Sequence, residues 1–473
     1  MEENKIFDSK ENKAFVGNTD KLAEWLKTDD DNQEKALERI KLLIKNYLEL
    51  DNVSFLFGSG SSIHLGAVSI RNFPVEIEKY IEEEKTDLFD EFKSVIISLQ
   101  SELKEYGEKN LIKEEKHQCF KDKWGRKCDI YDDGFIRDSE TEEIAIEYEK
   151  VLNYLIAKDF TLDEENAERT DKAKELITAI KEGLFSVCNI NDREIPKDKI
   201  KEEYYEVLRE NKYHIHEKFL KALLQRPLNL KRANIFTLNY DLAFEYACDK
   251  LGVFYIDGFA GFHKRYFKPE TFEYDMFYPG STTAGKVQRI EKVIRYFKLH
   301  GSISWINSEK RDANNLYGIE ELPLPLIEKA DKKGDTIIYP STVKKSYTLD
   351  FPYSELFRQF ASTITHSQSV LVTVGYSFSD EHINDIIFQA LSNPSFTLII
   401  LAYSSNPEIE RIKKLNDSRI IILEGSYIAD FIVFADKIMP DFYDIKSKEK
   451  VAKTINEYFD DSNKPPENEI EEL

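Results

Sequence analysis

Apolar residues recur along this chain in two rhythms. Helical spacing dominates residues 1–50, where "DNQEKALERIKLLIKNYLELD" puts Ala36, Ile40, Leu43, Ile44 and Tyr47 on one face. It returns between about 75 and 230 in "PVEIEKYIEEE", "LFDEFKSVIISLQSELKEYGEK" and "AKELITAIKEGLFSVCNI", which read as amphipathic helices of an inserted lobe. Within that lobe "CFKDKWGRKCDIYDDGFIRD" breaks the pattern and reads as a small hairpin. The second rhythm is the short, fully apolar run. "VSFLF", "RANIFTLNYD", "VIRYFKLHGSISW", "DTIIYPST", "QSVLVTVGYSF", "FTLIILAY" and "SRIIILEGS" carry it, with helical stretches between several of them. Apolar strands alternating with helices predict an α/β fold: a parallel sheet covered on both faces.

The expected organisation is a helical segment over 1–50, a sheet domain over 51–435 interrupted at about 75–230, and a terminal helix with an acidic tail over 436–473. The ending "DDSNKPPENEIEEL" has the composition of a disordered tail, and no internal repeat is found.

Composition narrows the function. The formal charge of −22 opposes non-specific adhesion to nucleic acid or anionic lipid. No apolar run is long enough to cross a bilayer, and the N-terminus shows no secretory signal. Four cysteines in 473 residues make no disulfide framework. A soluble, cytoplasmic protein without direct nucleic-acid or membrane binding is expected.

Four stretches carry candidate chemistry. "NVSFLFGSGSSIHLG" runs a strand into a glycine–serine turn where Gly58 and Gly60 supply φ freedom and close approach to a phosphate. The Walker lysine is missing and the dinucleotide G-x-G-x-x-G is incomplete at Ile63, so the turn alone is equally a structural one. In "IFTLNYD", Thr237, Asn239 and Asp241 alternate at a strand end, where open α/β sheets bind ligands; Asp241 also suits a helix N-cap. "KLHGS" delivers His300 at a strand end, as a proton acceptor or a structural residue. "VTVGYSFSDEH" offers a second anion- or ribose-binding turn at Gly375 and Ser377, with a helix capped by Ser379 or Asp380.

Together, G-S-G-x-S-x-x-x-G, T-x-N-x-D, L-H-G and V-G-Y-S-F-S-D resemble the sirtuin-like NAD-binding family over roughly 50–80 and 230–430. The resemblance implies a Rossmann-like fold and NAD+ as substrate. It assigns Gly58, Ser59, Gly60, Ser62, Arg71, Thr237, Gly375 and Ser377 to binding, and Asn239, His300 and Asp241 to catalysis. Departures matter: "AVSIR" puts Ser69 where the deacylases have an acid, and Leu238 stands for their glutamine. The paired C-x-x-C zinc hooks are missing. His117, Cys119 and Cys128 give only H-x-C-x8-C, and His214 and His216 make no better metal signal, so no metal is expected. Cys188 and Cys248 read as core residues.

The Gly-Tyr-Ser-Phe turn is similar to that of the bacterial anti-phage branch. The resemblance therefore implies an NAD+ hydrolase that releases nicotinamide and ADP-ribose and depletes cellular NAD. It further implies a homo-oligomer, activation by phage infection and a HerA-type ATPase partner. The stripe over residues 36–47 and the inserted lobe are candidate assembly surfaces, with burial in the chain's own core as the other reading. An NAD-dependent protein deacylase and a non-catalytic NAD or ADP-ribose sensor are the alternatives.

Overall fold

The computed structural model describes residues 6–28, 32–68, 73–113, 118–121, 127–131, 135–139, 144, 146, 151, 154–155, 167–279, 288–308, 311–329, 333–334 and 351–441. The expected strand over 335–342, the acidic tail, Ser69, Arg71 and His117 lie outside them.

Nine strands form the central sheet: β1 (Lys13–Val16), β2 (Thr19–Asp20), β3 (Asn52–Phe57), β4 (Asn234–Thr237), β5 (Phe254–Ile256), β6 (Val293–Lys298), β7 (Ser369–Val374), β8 (Thr397–Ala402) and β9 (Ile420–Glu424). Their spatial order is β2-β1-β9-β8-β7-β3-β4-β6-β5. All pairings from β9 across to β5 are parallel, and β1 joins β9 antiparallel. This is the α/β sheet covered on both faces that the apolar runs predict, and it is Rossmann-like, as the resemblance implies. The strand at Lys13–Val16 is an addition to the helical reading of the first fifty residues. It is four residues long with only Ala14 fully buried, which leaves little periodic signal.

Alternation assigns the two faces. Val53, Phe55, Phe57, Val370, Val372 and Val374 pack into one core, with Ile40 and Ile44 of the Gln33–Leu48 helix and Phe219 of the His214–Leu223 helix. Leu56, Phe236, Phe297 and Leu371 pack into the other, with Phe360 and Ile387 from the helices Tyr353–Ile364 and Glu381–Ala390. A strand buried on both faces has no room for a polar partner row, hence the near-continuous apolar runs. The stripe at residues 36–47 is thus spent internally: Ala36, Ile40 and Ile44 are fully buried, with Leu43 and Tyr47 packed beside them.

After β1 and β2 at one edge, the parallel part of the sheet starts at β3, in mid-sheet. The chain passes to β4, then to β5 at the edge and back to β6 between them, and crosses to β7 on the opposite side of β3 before continuing through β8 and β9. The order therefore reverses between β3 and β7, and the crevice beyond the carboxyl ends of such a pair is where open α/β sheets bind ligands.

The inserted lobe contains the helices Phe73–Glu84, Thr86–Leu99, Ser101–Lys109 and Ala167–Cys188. In place of one hairpin, the segments Leu111–Lys113, Gln118–Lys121, Lys127–Ile130 and Ile136–Asp138 form a four-stranded antiparallel sheet. The lobe's core of Ile77, Phe92, Leu176 and Ile180 is continuous with Tyr240, Leu242 and Ile303, which follow β4 and β6. The lobe therefore covers the sheet where those strands end.

Candidate active site

Two turns meet at the switch point. The register aligns Phe57 with Val374, so β3 and β7 end side by side. The Gly58 amide donates to the Val374 carbonyl at 3.0 Å, and the Gly60 amide donates to the Gly375 carbonyl at 3.0 Å. Glycine is required here by backbone-to-backbone approach. A Cβ on Gly58 would lie 2.6 Å from the Gly375 oxygen, and one on Gly60 would lie 2.7 Å from the Gly375 Cα. Gly58 and Gly60 are not among the glycines of positive φ, whereas Gly66 (φ 87°) and Gly375 (φ 63°) are. The glycines of the first turn thus fasten it to the second.

The first turn is a pair of 3-10 segments, Ser59–Ser61 and Ile63–Leu65. Its polar groups divide into an inner and an outer set. Ser61 and Ser62 are buried, and the Ser61 hydroxyl donates to the Gly58 carbonyl at 2.8 Å. Ser59 and Gly60 are half-buried. Ser62, expected at the phosphates, points inward to Asn239.

Asn239 reaches the turn from the β4 exit. Its Nδ2 donates to the Gly58 carbonyl at 3.1 Å and to the hydroxyls of Ser61 and Ser62 at 3.2 and 3.1 Å. Its own amide donates to the Thr237 hydroxyl at 3.0 Å. Thr237 and Asn239 are therefore one unit, with Asn239 half-buried at the crevice. Asp241 does not share that aim. It is buried, and its Oδ1 accepts from the Ala243 amide at 3.0 Å, a local turn bond leading into the helix Ala243–Leu251, whose N-cap is Leu242.

His300 emerges buried two residues after β6. Its Nε2 lies 3.3 Å from Oδ2 of Asp380, with the two side chains only 4% and 7% exposed. Asp380 caps the helix Glu381–Ala390 through Oδ1, which accepts from the amides of His382 and Ile383. Between the capping candidates Ser379 and Asp380, the latter holds the helix.

The second turn is anchored by its aromatics. The Tyr376 hydroxyl donates to Asn384 Oδ1 at 2.8 Å, and Asn384 Nδ2 donates to the Phe378 carbonyl at 2.7 Å. Tyr376 and Phe378 are buried, whereas Ser377 and Ser379 are exposed and bonded to each other at 3.1 Å. Serine is thus the residue type this turn presents.

Beneath the β4 and β6 exits lies a buried ionic network with no mark in the local sequence. Lys298 donates to the Asp241 carbonyl and, at 2.9 Å, to Glu245 Oε1, while the Tyr296 hydroxyl donates to Glu245 Oε2 at 3.1 Å. Burial pushes the Glu245 carboxyl up and the nearby Lys298 ammonium opposes it. Lys298 thereby joins the Asp241 loop to the strand that delivers His300. Behind the first turn, His64 stacks on His216 with ring centroids 5.4 Å apart. Desolvation holds His64 down to about 3, and His216 well below its ordinary range. His216 is enclosed by Phe244 and Phe431, so it belongs to the core.

Cys119 and Cys128 are buried on neighbouring strands of the small sheet, and Cys188 and Cys248 are buried core thiols. Among the described residues no group of three or more His, Cys, Asp or Glu could hold a metal ion. No helix among them is long and apolar enough to cross a membrane. An open depression of about 590 Å³ lined by Ile6, Lys201, Glu202, Glu203 and Tyr427 lies apart from the site residues. Asn239 bonded to the first turn, and Asp380 linking the second turn's helix to His300, mark the candidate site.

A family model described as a SIR2-like domain matches residues 233–423. The match takes in Asn239, His300, Gly375 and Ser377. No curated protein matches the chain. SIR2-like domains use NAD+, so the match suggests NAD-related activity in general.

Proposed function

From a chain that carries a SIR2-like domain, we propose an NAD+ glycohydrolase that cleaves NAD+ to nicotinamide and ADP-ribose. One observation carries the reading. The interlocked turns at the switch point bring Asn239 into the same crevice edge as Ser59, Ser377 and Ser379, and Asp380 ties the second turn's helix to His300. Half-exposed Ser59 and exposed Ser377 offer hydroxyls to a phosphorylated ligand, with Gly58, Gly60, Ser62, Thr237 and Gly375 setting the turns that present them. Arg71 is assigned to binding by the resemblance alone.

The chemistry asks little of the protein. Nicotinamide leaves as a neutral base, taking the electron pair of the broken C1′–N bond. A water oxygen bonds to C1′ through an oxocarbenium-like transition state, and one proton is released. Asn239 orients the ribose and the water. His300 accepts the proton, directly or through a ribose hydroxyl. Asp241, buried and bonded to the Ala243 amide, acts by shaping the loop.

The test is incubation of the purified chain with NAD+, with and without an acyl-lysine peptide, following nicotinamide. Release without peptide is expected, and His300→Ala and Asn239→Ala should each lower it by about two orders of magnitude or more. Peptide-dependent release would support a deacylase, and tight binding without consumption a sensor. The physiological form of the proposal is NAD+ depletion in anti-phage defence by a homo-oligomer working with a HerA-type ATPase. Its support is the likeness of the Gly-Tyr-Ser-Phe turn to that branch.

A further inference from the structure

We propose that Asn384 and Asn406 are positioning residues, which clamp the second turn by two successive carbonyls and so present its amides and serine hydroxyls to an acceptor-rich group of the ligand. That the ligand is NAD+ rests on the NAD+-cleavage reading; the clamp rests on the geometry of the turn.

Two side-chain amides take the carbonyls. Asn406 Nδ2, from the loop after β8, donates to the Ser377 carbonyl at 3.0 Å. Asn384 Nδ2, from the helix Glu381–Ala390, donates to the Phe378 carbonyl at 2.7 Å. Both asparagines are also fixed through their oxygens. Asn384 Oδ1 accepts from the Tyr376 hydroxyl at 2.8 Å, and Asn406 Oδ1 accepts from the Ile409 amide at 2.9 Å as N-cap of the helix Pro407–Lys414. Each NH2 group is thereby aimed at the turn.

The backbone they hold is strained. Phe378 has φ 57°, a conformation that a bulky residue avoids and glycine takes freely. A residue persists there only where its surroundings over-determine it, and such places cluster at binding sites. Here the surroundings are the Asn384 amide and the Tyr376 ring, whose centroid lies 4.8 Å from that of buried Phe378. The clamp divides the turn. The carbonyls of Ser377 and Phe378 are spent on the asparagines, whereas Ser377 and Ser379 are exposed with their hydroxyls 3.1 Å apart. The amides of Ser377, Phe378 and Ser379 donate to no backbone carbonyl among the described residues. A turn with its carbonyls taken and its donors outward suits phosphate or ribose oxygens, and gives nothing to a ligand group that must donate. Asn384 and Asn406 act through the turn and do not themselves touch the ligand.

Asn406→Ser keeps the helix cap, since serine caps as well as asparagine, and removes the amide that holds the Ser377 carbonyl. Asn384→Leu keeps the buried volume and removes the amide that holds Phe378. In the full chain, each should raise KM for NAD+ about tenfold with kcat within about twofold of the unsubstituted protein, the mark of lost binding and not of lost chemistry. Phe378→Gly added to Asn384→Leu should recover part of the KM, because glycine holds a positive φ unaided. A merely structural asparagine predicts the reverse, as the glycine also deletes a buried ring. An unchanged KM in Asn406→Ser, or a double variant with a higher KM than Asn384→Leu alone, would overturn the clamp and leave the NAD+ reading standing. Should Asn384→Leu not fold, Asn406→Ser alone decides. If the unsubstituted chain does not release nicotinamide from NAD+, that reading fails, and crystals of Asn384→Leu, or of Asn384→Ala if leucine does not fold, decide the clamp. Phe378 at negative φ supports it, and Phe378 still near 57° overturns it.

Discussion

Replacing Gly375 by alanine isolates what holds the two turns together. Gly375 has φ 63°, and an added Cβ would sit 2.4 Å from the Ser61 nitrogen and 2.6 Å from the Gly60 carbonyl carbon. Ordinary contact begins at 3.4 Å, so the turns have to part by roughly 1 Å. Two costs follow. Alanine in the left-handed region costs about 1–2 kcal/mol. Forcing the backbones apart adds about 1–3 kcal/mol of overpacking, and about 1 kcal/mol more if the 3.0 Å Gly60–Gly375 hydrogen bond is lost. Gly252 separates these contributions. It has φ 61°, ends the helix Ala243–Leu251, and would place its Cβ with nothing within 4 Å. Gly252→Ala should therefore show the conformational cost alone. In urea unfolding at matched m-values, Gly375→Ala should lose about 2–4 kcal/mol beyond Gly252→Ala. NAD+ cleavage should fall by about 10²-fold in the first, since a misplacement near 1 Å at a reacting site costs that much. Equal losses of stability in the two variants would refute the close-approach argument.

Two further outcomes follow from buried groups. The imidazoles of His64 and His216 are held neutral by burial, His64 down to about 3, whereas both titrate near 6.5 once unfolded. The unfolded chain then binds more protons below pH 6.5, so the pair's contribution is complete above that value. It is lost as pH falls toward 3, by up to about 1.4 kcal/mol per pH unit for each histidine. His216→Leu should flatten the stability profile between pH 7 and 5, and parallel profiles would contradict the assignment. Lys298→Met leaves the Glu245 carboxylate buried without its cation, and about 3–5 kcal/mol of stability should be lost. Lys298→Met with Glu245→Gln should recover part of that loss in denaturant titration; a single variant within 1 kcal/mol of the parent, on the scale of a surface pair, would dismiss the network.

The strands were legible because burial on both faces leaves an unbroken apolar signature. Val53–Phe57, Ser369–Val374 and Thr397–Ala402 each stand out from their polar flanks. The Lys13–Val16 strand was not, since a four-residue strand near the sheet's edge needs little apolar content. At the site, Asn239, His300 and the serine turns were marked by strand-end position. Their partners were hidden by distance along the chain. Asp380 meets His300, and Glu245 meets Lys298, only once β4, β6 and β7 are aligned, and no local periodicity records such pairs. Of the two reasons given for Gly58 and Gly60, close approach is met by the Gly375 backbone, and neither is among the glycines of positive φ.

The central position of β3 has a consequence for synthesis. The ribosome releases residues 52–57 early, but the neighbours that flank them lie at 234–237 and 369–374. Until the latter emerge, this apolar segment lacks a partner on one side and is exposed to misassociation, the general hazard of parallel sheets closed by distant segments. The crevice has only one wall before residue 374 has been made, so a chain that stops short of it lacks the second turn of the candidate site.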